Sequence, residues 1–133
     1  MNSIPESHRD LLKDETKAFV YLATLMSNGS PQVTPVWFNA DETYILINSA
    51  EGRVKDRNMR ARPQVALVIA DPANAYRYLQ IRGKVVEFTT DGADAHIDAL
   101  AYKYTGNPKY QNRVPGQKRV IYKVLPEKID AHG

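Results

Sequence analysis

The chain has 133 residues, of which 43% are hydrophobic and 25% charged, and its formal net charge is +3. That is the make-up of one modest globular domain, mildly basic mainly through residues 53–62 and without the reading motif of a dedicated nucleic-acid binder. It has no cysteine, which excludes disulfides, thiolate nucleophiles and cysteine-ligated metals.

The polar opening "MNSIPESHRDLLKDE" holds neither a signal-peptide core nor a membrane-spanning run, so a cytoplasmic protein away from membranes is expected. Within it, "SIPESHRDLLKDE" predicts a short helix, with Ser3 as its cap and Pro5 in its first turn. Residues 17–50 read as three strands, rich in apolar and β-branched side chains and punctuated by "SNGSP" and "NADE". "GRVKDRNMRAR" has helical composition, and Pro63 stops it. "QVALVIAD" is a nearly continuous apolar run, as in a central strand buried on both faces. "YRYLQIRGKVVEFTT" alternates like a long strand, with Gly83 marking a bulge or bend. "DGADAHIDALAYKYTG" predicts a helix capped by Asp91 and ended near Gly106. "NPKYQNRVPGQ" is a loop, and a last strand in "KRVIYKVLPEKIDAHG" is limited by Pro126. Six antiparallel strands with a few short helices predict a mainly β (α+β) chain, one small barrel domain over residues 1–133.

The histidines, His8, His96 and His132, have no neighbouring ligands at metal spacing, and there is no nucleophile elbow or paired-carboxylate motif. Neither a metal site nor hydrolytic chemistry is expected. Three other patches carry chemistry. The first is "NSAEGRVK", where an apolar strand runs straight into the basic helix. Ser49, Arg53 and Lys55 gather hydroxyl, bidentate and point-charge donors at a helix N-terminus, where backbone N–H groups favour anions. Composition alone reads the same run as a solvated face whose cationic side chains lie over the barrel. The second is "SPQVTPVWF". Pro35 forbids one ladder hydrogen bond, so this strand belongs at an edge or bulge, and Trp37 is either a packed side chain or the wall of a ring pocket. The third is the pair Tyr76 and Tyr78 on one strand face, suited to stacking on a ligand or to a dimer interface.

The segments "QVTPVWF", "ILINSAEGRVKDRNMRARPQVALVI" and "LQIRGKVVEF" resemble the pyridoxamine 5′-phosphate oxidase-like split β-barrel proteins, of the FMN-binding split-barrel type. Within these the chain is most similar to the small deazaflavin-dependent oxidoreductases that use coenzyme F-420, above all in Gly-Arg-x-Lys-x-x-Asn, Gly52 to Asn58. "KYTGNPKYQNR" and "LPEKI" are also similar to that group. The resemblance implies a split-barrel homodimer with two cofactor sites at its interface, each drawing residues from both chains. It implies that Arg53 and Lys55 hold the coenzyme phosphate with Asn58 nearby. Gln32, Thr34, Pro35, Val36 and Trp37 would run along the deazaflavin ring, and Asn48 and Ser49 would lie beside the ring and ribityl chain. Tyr76 and Tyr78 of the partner would close the pocket. It implies hydride transfer from reduced F-420 to an unsaturated or oxidised small molecule, with no catalytic side chain assigned. An FMN-dependent oxidoreductase or flavin reductase, and a non-catalytic cofactor carrier, are the alternatives. Arg57 and Arg60 would meet the acidic tail of F-420. Pyridoxamine phosphate oxidase itself carries an arginine-rich motif that grips its substrate, and "EKIDAHG" does not match it, so that activity is not expected.

Overall fold

The computed structural model describes residues 3–133. Its framework is one seven-stranded antiparallel sheet: β1 (Val20–Leu25), β2 (Pro31–Val36), β3 (Phe38–Ala40), β4 (Ile45–Ala50), β5 (Gln64–Asp71), β6 (Asn74–Thr89) and β7 (Arg119–His132). Helix α1 (Val54–Ala61) follows β4, and α2 (Ala93–Thr105) follows β6. The spatial order is β2-β1-β5-β6-β7-β4-β3.

That order forces the shape. β2 and β3 are consecutive in the chain, with only Trp37 between them, yet they form opposite edges of the sheet. A sheet whose two edges are joined by one residue must curl until the edges meet, and the result is a split barrel. The same constraint raises the strand count from the expected six to seven. "QVTPVWFNA" looks like one uninterrupted strand, but it breaks at Trp37 so that its halves can pair with β1 and with β4.

Residues facing the interior recur at every second position, as a pleated strand requires. Val20 and Leu22, Leu67 and Ile69, Leu79 and Ile81, and Ile45 and Ile47 are all essentially inaccessible. Each such side chain contributes roughly 1.5–3 kcal/mol over its exposed state. Met59 of α1, and Ile4 and Leu11 of the N-terminal segment, join the same core.

Several local expectations are corrected. The first helix is a 3₁₀ segment, Glu6–Leu12, preceded by Pro5 and without a side-chain cap from Ser3. Asp91 does not cap α2. Gly92 stands at that position with φ 74°, while Gly106 ends the helix with φ 79°, as expected of a glycine C-cap. Pro126 does not limit the last strand. β7 runs through it, because the missing N–H falls at a register shift opposite Gly83. Gly83 is needed there, since a Cβ would lie 2.3 Å from the Leu125 carbonyl oxygen. β5 is buried on one face only: Ala66, Val68 and Ala70 on the other are half-buried.

Candidate functional site

A cavity of about 300 Å³ opens where the β2–β3 crossover, the β4–α1 turn and the start of β7 come together beneath α2. One side is apolar, formed by Phe19, Pro35, Val36, Trp37 and Ile97. The other is polar and cationic, formed by Asn48, Arg53, Lys55, Asn112 and Arg119, with Tyr110 between them.

The apolar side is built on edge geometry. β2 is an edge strand, so Pro35 breaks no ladder, and its neighbour Val36 pairs only with Val20. At the crossover the Trp37 ring stacks on Tyr104, centroids 5.2 Å apart, and Tyr104 stacks in turn on Phe19 at 5.0 Å. Tyr110 meets Trp37 edge-on at 6.1 Å. Such pairs add about 0.5–1.5 kcal/mol each to simple burial. The C-terminal end of α2 pins the crossover backbone. The Tyr104 hydroxyl donates to the Ala18 carbonyl at 2.5 Å and accepts from the Phe38 N–H at 3.3 Å. Lys103 donates to the Phe38 carbonyl at 2.7 Å. Burial pushes the Tyr104 hydroxyl pKa well up and pulls that of Lys103 down.

The cationic side is set by the turn entering α1. Gly52 adopts φ 90°, open to glycine at little cost, and its N–H donates to Asp56 Oδ2 at 2.9 Å. Asp56 is buried and also accepts from Arg60 Nε at 2.9 Å and from the Tyr122 hydroxyl. Burial alone would raise its pKa, but the bonds from Tyr122, Gly52 and Arg60 outweigh it and hold the carboxyl below the ordinary carboxylate range. This buried anchor orients the turn that carries Arg53 and Lys55.

Arg53, Lys55 and Arg119 share one property. Among the described residues none of them is paired with a carboxylate, whereas Arg60, Arg77, Lys103 and Arg113 are. Burial and the charges of Arg53 and Arg119 lower the pKa of Lys55. Clustered cations without counter-charges, with Lys55 half-buried and Arg119 buried, make a site for an anion with several oxygens. Arg60 does not join them. Its Nε is committed to Asp56 and its guanidinium lies 5.3 Å from the Phe88 ring centroid, so of the two arginines expected to meet an acidic tail only Arg57 has no side-chain partner among the described residues.

Of the residues singled out from sequence, Pro35, Val36, Trp37, Asn48, Arg53 and Lys55 line this cavity. Gln32 and Thr34 lie on the same edge strand outside its lining, with Gln32 Oε1 accepting from Thr24 at 3.5 Å. Ser49 alternates with Asn48 onto the face of Ile45 and Ile47, and its buried hydroxyl has no partner among the described residues. Asn58 is turned beneath the helix and donates to Thr24 Oγ1 at 3.1 Å and to Met26 Sδ. Tyr76 is 87% exposed at the β5–β6 hairpin, and Tyr78 stacks on His132 at 4.8 Å, both apart from their own chain's cavity. Sequence reasoning missed Phe19, Ile97, Tyr110, Asn112 and Arg119. The loop "NPKYQNR" was the available signal for Tyr110 and Asn112. Nothing in "KRVIY" marks its arginine as cavity-facing.

An aromatic slot beside an uncompensated cationic cluster is chemically suited to an apolar ring that carries an anionic group. The pattern of the pyridoxamine 5′-phosphate oxidase family matches residues 4–133, and the chain belongs to that family of flavin- and deazaflavin-related split barrels. A solved structure described as an F420 reductase is 34% identical, with a TM-score of 0.84, over 96% of this chain and 98% of that one. The conserved hypothetical protein Rv2991 from Mycobacterium tuberculosis is 18% identical with a TM-score of 0.74, over 97% of this chain and 84% of its own. HupZ of Group A Streptococcus is 18% identical with a TM-score of 0.66, over 96% and 93%. These last two share the fold. None of the curated proteins matches the chain. No helix of the described residues is long and apolar enough to cross a membrane.

Proposed function

We propose that the protein is a cytoplasmic oxidoreductase that takes reduced coenzyme F-420 and delivers hydride to an unsaturated or oxidised small molecule. The observation that carries this reading is the cavity itself: aromatic and proline surface on one side, Arg53, Lys55 and Arg119 without counter-charges on the other. The 34% identity to an F420 reductase over nearly the whole of both chains supports it. FMN offers the same ring, ribityl and phosphate pattern and is the alternative cofactor.

When bound, F-420 supplies the hydride from ring carbon C5, and the protein orients it. Arg53 and Lys55 hold the phosphate. Phe19, Pro35, Val36, Trp37 and Ile97 would hold the ring against the apolar side of the cavity and keep water from it. No serine, threonine or cysteine lines the cavity, and hydride transfer needs no covalent nucleophile.

A cavity of about 300 Å³ is at the lower limit of ligand sites and is too small to enclose a whole deazaflavin coenzyme. The rest of the wall comes from a second copy. The outer face of β2, β1 and β5 is apolar and continuous. Tyr21 lies opposite Pro35 and Val68, and Ala23 lies opposite Val33 and Ala66. Tyr21 and Val33 are 45% and 65% exposed. This face forms the homodimer and brings the partner chain to the open side of the slot. The test is a titration of the purified protein with F-420 and with FMN, with its mass measured by light scattering. Tight F-420 binding by a dimer is expected. Tight FMN binding with weak F-420 binding would move the protein to flavin chemistry, and binding of neither would end the reading.

A further inference from the structure

From the lining residues Arg119 and Asn48 a chain of polar groups runs back behind the cavity wall to His96 and Asn39. His96, on α2, is mostly buried between β3 and β4. Its Nε2–H donates to Asn39 Oδ1 at 2.8 Å, and its Nδ1 accepts from Asn48 Nδ2 at 3.1 Å. The second N–H of Asn48 donates to the Ala93 carbonyl at 2.9 Å. A carbonyl can only accept, so the Asn48 amide orientation is determined: its Oδ1 faces away from α2. That oxygen accepts from Arg119 Nε at 2.9 Å.

Arg119 is only 7% exposed, an unusual setting for an arginine with no carboxylate partner. Its Nη1 has a single long contact, 3.4 Å to Gln117, and its guanidinium carbon lies 5.2 Å from the Tyr110 ring centroid. Its Nη2 has no protein partner among the described residues and is not sealed from the cavity. Arg119 thus lines the slot with Arg53 and Lys55, its Nε fixed by Asn48 and its terminal nitrogens weakly engaged or unpaired among the described residues.

We propose that Arg119 is a third anion-binding residue of the cavity and that His96 is its positioning residue, acting through Asn48. This role rests on the cavity taking a phosphate-bearing cofactor. The hydrogen-bond directions make it specific. His96 must be neutral and protonated on Nε2, because Asn48 offers Nδ1 a donor. Were Asn48 to turn over, its NH2 would meet the Arg119 Nε–H, donor against donor, and the guanidinium would leave its place. Burial, reinforced by the charge of Arg119, lowers the His96 pKa to about 4, which keeps that tautomer in force at neutral pH.

A double-mutant cycle tests it, with FMN, F-420 and phosphate-free riboflavin as probes and quenching of the single tryptophan, Trp37, as signal. Arg119→Ala and His96→Leu should each weaken the phosphorylated probe that binds by about tenfold, the value of one charge-assisted hydrogen bond. The double variant should be no weaker than Arg119→Ala alone, riboflavin binding should not move, and His96→Gln, which retains an amide donor and acceptor, should recover part of the loss. Additive losses, or equal loss of riboflavin, would overturn the proposal. If the wild-type protein binds neither FMN nor F-420, the cofactor reading falls separately. The relay is then decided by hydrogen exchange at Arg119 Nε, read by NMR. Exchange slow in the wild type and fast in His96→Leu at unchanged Tm supports it, and slow exchange in both overturns it.

Discussion

Replacing Lys55 by alanine separates cofactor binding from folding more cleanly than any other change. Its ammonium lines the cavity, has no carboxylate partner among the described residues, and is half-buried beside Arg53 and Arg119. With a phosphate in the cluster it makes a charge-assisted bond of about 2 kcal/mol. The expected loss is therefore about 30-fold in Kd. The folded protein without cofactor should respond the other way. Burial and two neighbouring positive charges pull the Lys55 pKa below its ordinary value. A lysine with a lowered folded-state pKa binds protons less well folded than unfolded, so its charge works against folding at neutral pH. Lys55→Ala should leave the unfolding free energy unchanged or raise it, within about 0.5 kcal/mol. Trp37 reports the first effect by fluorescence, since the chain has one tryptophan and it lines the same cavity. A thermal melt without ligand reports the second. A Tm that collapses while affinity holds would refute the reasoning and make Lys55 a structural residue.

Three further outcomes follow from the same geometry. Asp56→Ala removes the buried acceptor of Tyr122, Gly52 and Arg60 and should cost about 3–5 kcal/mol, seen as a large fall in the urea midpoint; a loss below 1 kcal/mol would deny Asp56 its anchoring role. Gly83→Ala places a Cβ 2.3 Å from the Leu125 carbonyl and should cost about 2–3 kcal/mol by the same measurement, whereas a neutral result would show that the bulge can relax. His96 has a folded-state pKa of about 4 against 6.5 unfolded, so between those values the unfolded chain binds more protons and stability falls as pH drops. The loss reaches at most ~3 kcal/mol by pH 4, and His96→Gln should flatten that part of the pH–stability profile relative to the wild type.

The parts of the site that were legible in sequence are those contiguous in the chain. An apolar strand leading through Gly52 into Arg53 and Lys55 announces a cationic helix start, and a proline in "VTPVW" announces an edge. Phe19, Ile97, Tyr110, Asn112 and Arg119 arrive from four separate regions and meet only through sheet closure, which no local pattern encodes. Asn58 shares a helix with Lys55, but amide geometry takes it to Thr24 on β1. Ser49 follows Asn48 by one residue, and the pleat sends the two to opposite faces. The seventh strand was hidden because alternation continues smoothly through Trp37, and the break there is imposed by the need of two edges to pair with different neighbours.

That break has a bearing on how the family varies. With a single residue spanning the two margins of the sheet, the crossover has no slack, so lengthening it by even one residue would let the margins drift apart and widen the slot. Length changes are absorbed far more easily in the stretch before Arg119, where exposed turns carry Tyr110 and Asn112 to the cavity. Changes of length beside the slot are thus channelled into the loop that carries Tyr110 and Asn112, while the floor of the slot is held to a fixed length by the seam.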